Sequence, residues 1–169
     1  MKLYLSVKGS AISLFILLMG SVKAQDIKPV MIGQRVPSIK IKNIINSETG
    51  ELDLSELAGK VVVIDFWEAW CSGCVKALPK LDSMKKKFGD KLVIITVTAT
   101  SGTANQIKSD LKSRAITRNF SLPVVVRDTI LVRYFPHKIL SHVVWIDSQQ
   151  VVRAITGTDY INSENIKHY

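Results

Sequence analysis

Apolar residues along the chain follow two patterns, one typical of strands and the other typical of helices. Nearly unbroken apolar runs at 61–66 and 92–97 predict two buried strands. Between them, apolar residues recur at helical spacing over 72–88, with Pro79 inside the span and Gly89 directly after it. This pattern predicts a helix that is broken or kinked at Pro79 and ends near Gly89.

Shorter elements are predicted on both sides of this central unit. Alternating apolar residues around Asn46–Gly50 predict an N-terminal β-hairpin. The other predicted elements are helices near 104–116, 129–135 and 163–169, a short strand at 122–126, and a hairpin of strands at 143–146 and 151–156. Strands that alternate with helices predict an α/β fold with a central sheet covered on both faces. Because the last helix is barely two turns long, we expect it to be truncated, which leaves open that the chain is a fragment.

Residues 1–24 have the composition of a secretory signal peptide. Two lysines precede an apolar stretch at 11–19. The triplet Val22-Lys23-Ala24 has small residues at the positions expected before signal-peptide cleavage ahead of Gln25. The stretch is short for a membrane span, although an uncleaved signal that anchors the chain stays open as an alternative. We therefore expect export to the periplasm or cell envelope, where disulfides are made.

The rest of the chain has the length and composition of one domain. Residues 25–36 show no clear periodicity and are expected to form a linker, and 37–169 are expected to form the domain. The chain is basic, with 23 Lys and Arg against 14 Asp and Glu. The one basic run, Lys85–Lys87, lies on a predicted helix, where a solvated face is a simpler interpretation than a nucleic-acid or lipid patch. No nucleic-acid partner is therefore predicted.

The chain has two cysteines, Cys71 and Cys74, which follow the strand predicted at 61–66. Cys71 then lies at the N-terminus of the next helix and Cys74 one turn further on, so the two sulfurs can bond. Unpaired N–H groups and the helix dipole at this end stabilise the Cys71 thiolate. These positions predict Cys71 as the nucleophile, Cys74 as the resolving thiol and Cys71–Cys74 as a redox-active disulfide.

Two inert interpretations of the cysteine pair fit the sequence less well. A structural zinc site needs four ligands, but the chain has no second cysteine pair, and its three histidines lack zinc-ligand spacing. A purely structural disulfide that closes so short a loop would constrain the unfolded chain little. We therefore expect redox chemistry with no metal and no cofactor.

Further motifs accompany the cysteine pair. They are Gly33-Gln34-x-Val36-Pro37, Leu54-Ser55-Glu56-Leu57-x-Gly59-Lys60, Phe66-Trp67-x-x-Trp70-Cys71 and Trp145-Ile146-Asp147. On these motifs the chain resembles exported thioredoxin-like proteins of the TlpA/ResA type, over about residues 32–169. The resemblance implies a thioredoxin-like fold with a central mixed sheet, helices on both faces and an N-terminal β-hairpin extension. It also implies a monomeric thiol–disulfide oxidoreductase that reduces disulfides of exported proteins and receives electrons from a membrane-embedded thiol donor.

The resemblance also assigns roles to single residues. Asp65, six residues before Cys71, coincides with the buried acid through which thioredoxin passes a proton to the resolving thiol. A strand-end Asp that only caps or is solvated is the alternative interpretation. Glu68 is expected on the surface. Ala77 stands where some related proteins have an acidic residue, so Asp65 is expected to be the carboxylate that tunes the site.

Ser141 departs from the family pattern, which usually has a cis-proline facing the dithiol at this position. A non-proline cis bond costs roughly 2.5–4 kcal/mol, so Leu140–Ser141 is expected to be trans in a reshaped loop. Trp70, Leu140 and Ser141 are the expected substrate-binding residues. A reshaped loop would weaken substrate docking, and Ser141→Pro would then restore activity.

The same departure keeps two other function classes open. One is a module that holds copper or another soft metal through Cys71, Cys74 and His142. The simpler interpretation of His142 is a polar residue near a strand start. The other class is a redox-quiet binding protein.

Overall fold

The computed structural model describes residues 27–169. The expected signal peptide and its cut ahead of Gln25 lie outside these residues. Within them, no helix has the length and apolar character that crossing a membrane requires.

A six-stranded mixed sheet forms the centre of the domain. The strands in the described part of the chain are β1 (Lys40–Ile41), β2 (Ile44–Ile45), β3 (Leu52–Asp53), β4 (Val61–Phe66), β5 (Leu92–Val97), β6 (Val124–Val125), β7 (His142–Ile146) and β8 (Val152–Thr156). The central sheet has the order β2-β6-β5-β4-β7-β8. Its β4, β5 and β6 run parallel, whereas β2, β7 and β8 are antiparallel to their neighbours. The remaining strands, β1 and β3, form the predicted N-terminal hairpin.

Among residues 27–169, four α-helices pack on the two faces of the sheet. They are α1 (Ser72–Phe88), α2 (Ala104–Ser113), α3 (Leu131–Tyr134) and α4 (Ser163–His168), with 3₁₀ turns at Leu54–Leu57, Gly89–Lys91 and Thr158–Tyr160. The predicted bounds of α1 are confirmed, and Gly89, with a φ of 56°, ends it. A capping box begins α2, because Thr103 and Gln106 each accept the other's backbone N–H. The helix predicted near 104–116 stops at Ser113, since Arg114 is extended.

Two apolar layers cover the two faces of the sheet. Alternate residues of β4 enter different layers, because successive side chains of a strand point to opposite faces. Ile64 and Phe66 join the layer that contains Leu131 of α3. Val63 joins the layer that contains Cys74. Asp65 therefore lies on the face of the sheet that α1 covers, together with the dithiol.

The described part of the expected linker lies against the domain. Val30 and Val36 are buried, and the backbone N–H groups of Val30, Gly33 and Val36 donate to carbonyls of the domain. Arg35 pairs with Val151 as an isolated bridge. The boundary placed at residue 36 stays a prediction, although these residues add buried surface to the same core.

Candidate active site

Cys71 and Cys74 form a disulfide at the start of α1, with 5.3 Å between their Cα atoms. Cys71 is the N-cap of this helix, and its Sγ accepts a hydrogen bond from the Cys74 backbone N–H at 3.3 Å. Cys71 is partly exposed, whereas Cys74 is 3% exposed and belongs to the apolar layer under α1. An attacking group from solvent therefore reaches the Cys71 sulfur more easily.

Asp65 is fully buried in the centre of the sheet, between Thr96 of β5 and Val143 of β7. Its Oδ1 accepts a hydrogen bond from Thr158 Oγ1 at 3.3 Å, and its Oδ2 has no hydrogen-bond partner within residues 27–169. Burial raises the pKa of Asp65 to about 7, against a smaller lowering by the Thr158 hydrogen bond. A carboxyl group with such a pKa can both take up and release a proton near neutral pH.

The peptide bond between Leu140 and Ser141 is cis, so the expectation of a trans bond in a reshaped loop is wrong. Hydrogen bonds hold Ser141 in place, because its Oγ accepts the Thr158 backbone N–H at 2.8 Å and also bonds to Thr158 Oγ1. The intrinsic cost of a cis bond, on which that expectation rested, does not include these contacts.

The other expected substrate-binding residues differ in exposure. The Trp70 side chain is 72% exposed next to Cys71. Leu140 is partly buried and packs against both apolar layers. Ile139, which the sequence analysis did not select, is 78% exposed. An apolar side chain with this exposure, directly before Leu140, gives the loop a contact surface of its own.

Glu68 is not on the surface, contrary to expectation, and is 5% exposed. Its carboxylate accepts the backbone N–H groups of Ala99 (2.8 Å), Thr100 (2.9 Å) and Ser101 (2.7 Å), and also the Ser101 hydroxyl. Burial alone would raise the pKa of Glu68, but these hydrogen bonds lower it below its ordinary value. The loop after β5 supplies the solvation that water would otherwise provide.

The same contacts fix the turn that carries Trp70 and Cys71. Ser101 Oγ accepts the Ala69 N–H at 2.8 Å, and Arg114 Nη2 donates to the Ala69 carbonyl at 3.1 Å. Within the turn, the Cys71 N–H donates to the Glu68 carbonyl at 2.9 Å. The segment before the nucleophile is thus tied to the loop after β5 and to the residue that follows α2.

His142, considered from the sequence as a metal ligand, lies among aromatic rings. It lies opposite Phe66 on β4 and stacks on His137, with ring centroids 4.6 Å apart. Burial, together with the neighbouring His137, lowers the pKa of His142 to about 4. Within residues 27–169, no three His, Cys, Asp or Glu side chains come together as a metal site, and this includes the Cys71, Cys74 and His142 grouping that was kept open as an alternative.

Comparison with known proteins places this site in a family. The model of the AhpC/TSA family matches residues 32–132. The chain belongs to the AhpC/TSA family. This AhpC/TSA protein is 27% identical over 94 residues to thioredoxin-like protein YneN of Bacillus subtilis. The matched residues cover 56% of this chain and 52% of the relative. It is also 28% identical over 87 residues to thiol-disulfide oxidoreductase ResA of Bacillus cereus. This match covers 52% of this chain and 49% of the relative.

The AhpC/TSA chain spans about half the length of these curated relatives. Among solved structures, it is similar to the exposed lipoprotein thioredoxin of Streptococcus pneumoniae, with a TM-score of 0.63 and 23% sequence identity. That likeness covers 79% of this chain and 100% of the other. It confirms the predicted thioredoxin-like fold.

Proposed function

We propose that the protein is a thiol–disulfide oxidoreductase that reduces exported proteins through Cys71 and Cys74. The observation that carries this proposal is a partly exposed sulfur at a helix N-terminus, bonded to a buried sulfur one turn later. One thiolate can then attack from the surface while the other is kept for the second step. The relatives named thioredoxin-like protein and thiol-disulfide oxidoreductase agree with this chemistry.

The reaction proceeds in two displacements at sulfur. In the reduced protein, the Cys71 thiolate attacks a substrate disulfide, the substrate S–S bond breaks, and a mixed disulfide forms while the departing thiolate takes up a proton. The Cys74 thiol then gives its proton to Asp65, and its thiolate attacks the Cys71 sulfur. The second substrate thiolate leaves and is protonated. The substrate is reduced to two thiols, and the protein ends with the Cys71–Cys74 disulfide.

Asp65 is suited to the proton transfer in the second displacement. It lies on the α1 side of the sheet with Cys74, and burial raises its pKa to about 7. A base with a pKa near the working pH is most effective, because it is available in the ionised form and still binds a proton well. Asp65 is accordingly the general base for Cys74 and the acid when the reaction runs in reverse.

The substrate docks on the surface formed by Trp70 and the Ile139–Ser141 loop. Exposed Trp70 and Ile139 supply apolar contacts, and Leu140 and Ser141 supply backbone groups for an extended substrate segment. The re-reducing partner is a membrane-embedded thiol donor that uses the same surface. The signal-like composition of residues 1–24 supports export to the cell envelope. We propose that the protein acts as a monomer.

A trapping experiment tests this function in cells. In Cys74→Ser, the second displacement is blocked, so mixed disulfides between Cys71 and its substrates should accumulate and be released by reductant. Cys71→Ser is the matched control and should capture nothing. If Cys74→Ser captures no more exported protein than Cys71→Ser, the proposed function is wrong.

A further inference from the structure

Three side-chain oxygens connect the buried carboxyl group with the protein surface. Asp65 Oδ1 lies 3.3 Å from Thr158 Oγ1, which in turn bonds to Ser141 Oγ. Exposure increases along this series, from 0% for Asp65 and 5% for Thr158 to a partly exposed Ser141. Thr158 begins the 3₁₀ turn after β8, and Ser141 directly precedes β7.

We propose that the hydroxyls of Thr158 and Ser141 form the path by which Asp65 exchanges its proton with water. This inference rests on the function proposed above, because the path serves the proton that Cys74 gives up during the second displacement. Thr158 and Ser141 act through Asp65 and are positioning residues.

The same oxygen positions satisfy both protonation states of Asp65. When Asp65 is ionised, the Thr158 hydroxyl donates to Asp65 Oδ1 and the Ser141 hydroxyl donates to Thr158 Oγ1. When Asp65 is protonated, its O–H donates to Thr158, Thr158 donates to Ser141, and Ser141 donates to water. Only the hydroxyl hydrogens rotate between these states, since each hydroxyl has one donor and two acceptor sites. The Thr158 backbone N–H donates to Ser141 Oγ at 2.8 Å in both states.

Proton release along this path is balanced. The Asp65 proton passes to Thr158 Oγ1, the original Thr158 hydroxyl proton passes to Ser141 Oγ, and the original Ser141 proton passes to water. One proton leaves the protein and both hydroxyls are regenerated. A proline at position 141 would have no hydroxyl to carry the last step.

Within residues 27–169, Thr158 is the side chain that donates a hydrogen bond to the Asp65 carboxyl group. Thr96 of β5 donates its hydroxyl to the Pro123 carbonyl at 3.0 Å, and Val143 of β7 has no polar side-chain atom. On α1, the buried titratable residues are Cys74 and Asp82, and Asp82 bonds to Ser121 instead. No ion pair to Asp65 is found within residues 27–169.

Thr158→Val tests the path, because it keeps the shape of the side chain and removes the hydroxyl. Reduced protein is mixed with dithiobis(nitrobenzoate), which releases one coloured thiolate when Cys71 attacks and a second when Cys74 resolves the mixed disulfide. General acid–base assistance is worth roughly 10²–10⁴-fold, so losing the path should slow the second release by about tenfold or more near neutral pH. The rate of the first thiolate release should be unchanged. The rate of the second release should depend less steeply on pH than it does in the parent.

Two further variants complete this kinetic test. Thr117→Val makes the same change at a buried threonine whose hydroxyl donates to the Leu111 carbonyl, and both releases should stay at the parent rate. Ser141→Ala removes only the outer hydroxyl and should slow the second release. If Thr158→Val and Ser141→Ala resolve the mixed disulfide at the parent rate across the pH range, the path is overturned.

Proton exchange measured by infrared spectroscopy tests the path without thiol chemistry. The oxidised protein is mixed into D₂O at a pD of about 5.5, where ordinary carboxyls are ionised and Asp65 still has its proton. The Asp65 carbonyl band, identified by its loss in Asp65→Asn, should shift several-fold more slowly in Thr158→Val than in the parent or Thr117→Val. Equal exchange rates would overturn the path. A parent that exchanges as expected but releases no second thiolate would instead contradict the proposed function.

Discussion

The Glu68 carboxylate accepts hydrogen bonds from both the backbone N–H and the hydroxyl of Ser101, 33 residues further along the chain. These bonds join the turn that carries Trp70 and Cys71 to the loop after β5. The turn is therefore held by a buried charge whose hydrogen bonds come from backbone and hydroxyl groups. Within residues 27–169, the Glu68 carboxylate is thus held by hydrogen bonds and not by an ion pair.

Glu68→Gln should destabilise the protein. The amide nitrogen would face N–H groups where the carboxylate now accepts them, and an unsatisfied buried group costs roughly 1–3 kcal/mol. Urea denaturation measures the change in the free energy of unfolding. Glu56→Gln, on an exposed residue, is the matched control and should change it little. Equal stability of the two variants would show that the Glu68 contacts contribute nothing.

The same substitution should loosen the Trp70 turn, which iodide quenching of fluorescence can detect. Trp67 and Trp145 are each 1% exposed and Trp70 is 72% exposed, so a soluble quencher reports Trp70. We expect a larger quenching constant and a lower fluorescence anisotropy in Glu68→Gln. Trp70→Phe identifies the quenched component. Unchanged values would mean that Glu68 stabilises the fold but does not order this turn.

Asp65→Asn should remove a specific loss of stability between about pH 4 and 7. The folded-state pKa of Asp65 is raised from 3.8 to about 7, so the unfolded chain releases this proton first as the pH increases. The stabilisation that comes from the protonated Asp65 carboxyl group is complete below its unfolded-state pKa. It is lost as the pH rises through the folded-state pKa, by at most about 1.4 kcal/mol per pH unit. Urea denaturation at several pH values should show that the free energy of unfolding of Asp65→Asn increases relative to that of the parent as the pH rises from about 4 to 7. Asp110→Asn, on an exposed acid, should follow the parent curve.

His142→Phe should protect the protein against mild acid. Burial and His137 lower the pKa of His142 from 6.5 to about 4, so the unfolded chain takes up this proton first as the pH falls. The parent therefore loses stability between about pH 6.5 and 4. A phenylalanine keeps the contact with Phe66 and does not titrate. Denaturation at pH 4.5 and 7.5 should show a smaller difference for His142→Phe than for the parent, whereas His168→Phe, on an exposed residue, should behave as the parent.

In the reduced protein, Cys71 should be alkylated much faster than Cys74. Cys71 lies at the helix N-terminus and is partly exposed, and Cys74 is 3% exposed. Limited treatment with iodoacetamide followed by peptide mass spectrometry gives the two rates. Cys71→Ser and Cys74→Ser assign each rate to its sulfur. Equal rates, or faster reaction at Cys74, would contradict the assignment of the nucleophile.

The sequence predicted the parts of the site that local patterns determine. Strand 61–66 and helix 72–88 follow from their apolar spacing, and the alternation along the strand puts Asp65 on the sheet face that α1 covers. The roles of Glu68 and Thr158 were not predictable, because their partners lie far along the chain. Glu68 bonds to residues 31 to 33 positions away, and Thr158 is 93 positions from Asp65. Sequence spacing does not predict contacts between residues this far apart, because they meet only when the strands pair in the folded sheet.

The Leu140–Ser141 bond shows the same limit of local reasoning. The intrinsic cost of a cis bond predicts trans, but Ser141 is held by two hydrogen bonds to Thr158, which follows the partner strand β8. The β7–β8 hairpin was predicted, yet the contacts beyond its ends were not. Local sequence patterns therefore did not reach the hydrogen bonds between Ser141 and Thr158.

The most direct test of the account is the reduction of insulin disulfides by dithiothreitol in the presence of the purified protein. We predict that the parent accelerates insulin precipitation well above the reaction without protein, and that Cys71→Ser abolishes this acceleration. Asp65→Asn should retain part of it, with a reduced dependence on pH. A folded parent that accelerates the reaction no more than Cys71→Ser would contradict a redox function and favour a redox-quiet binding protein.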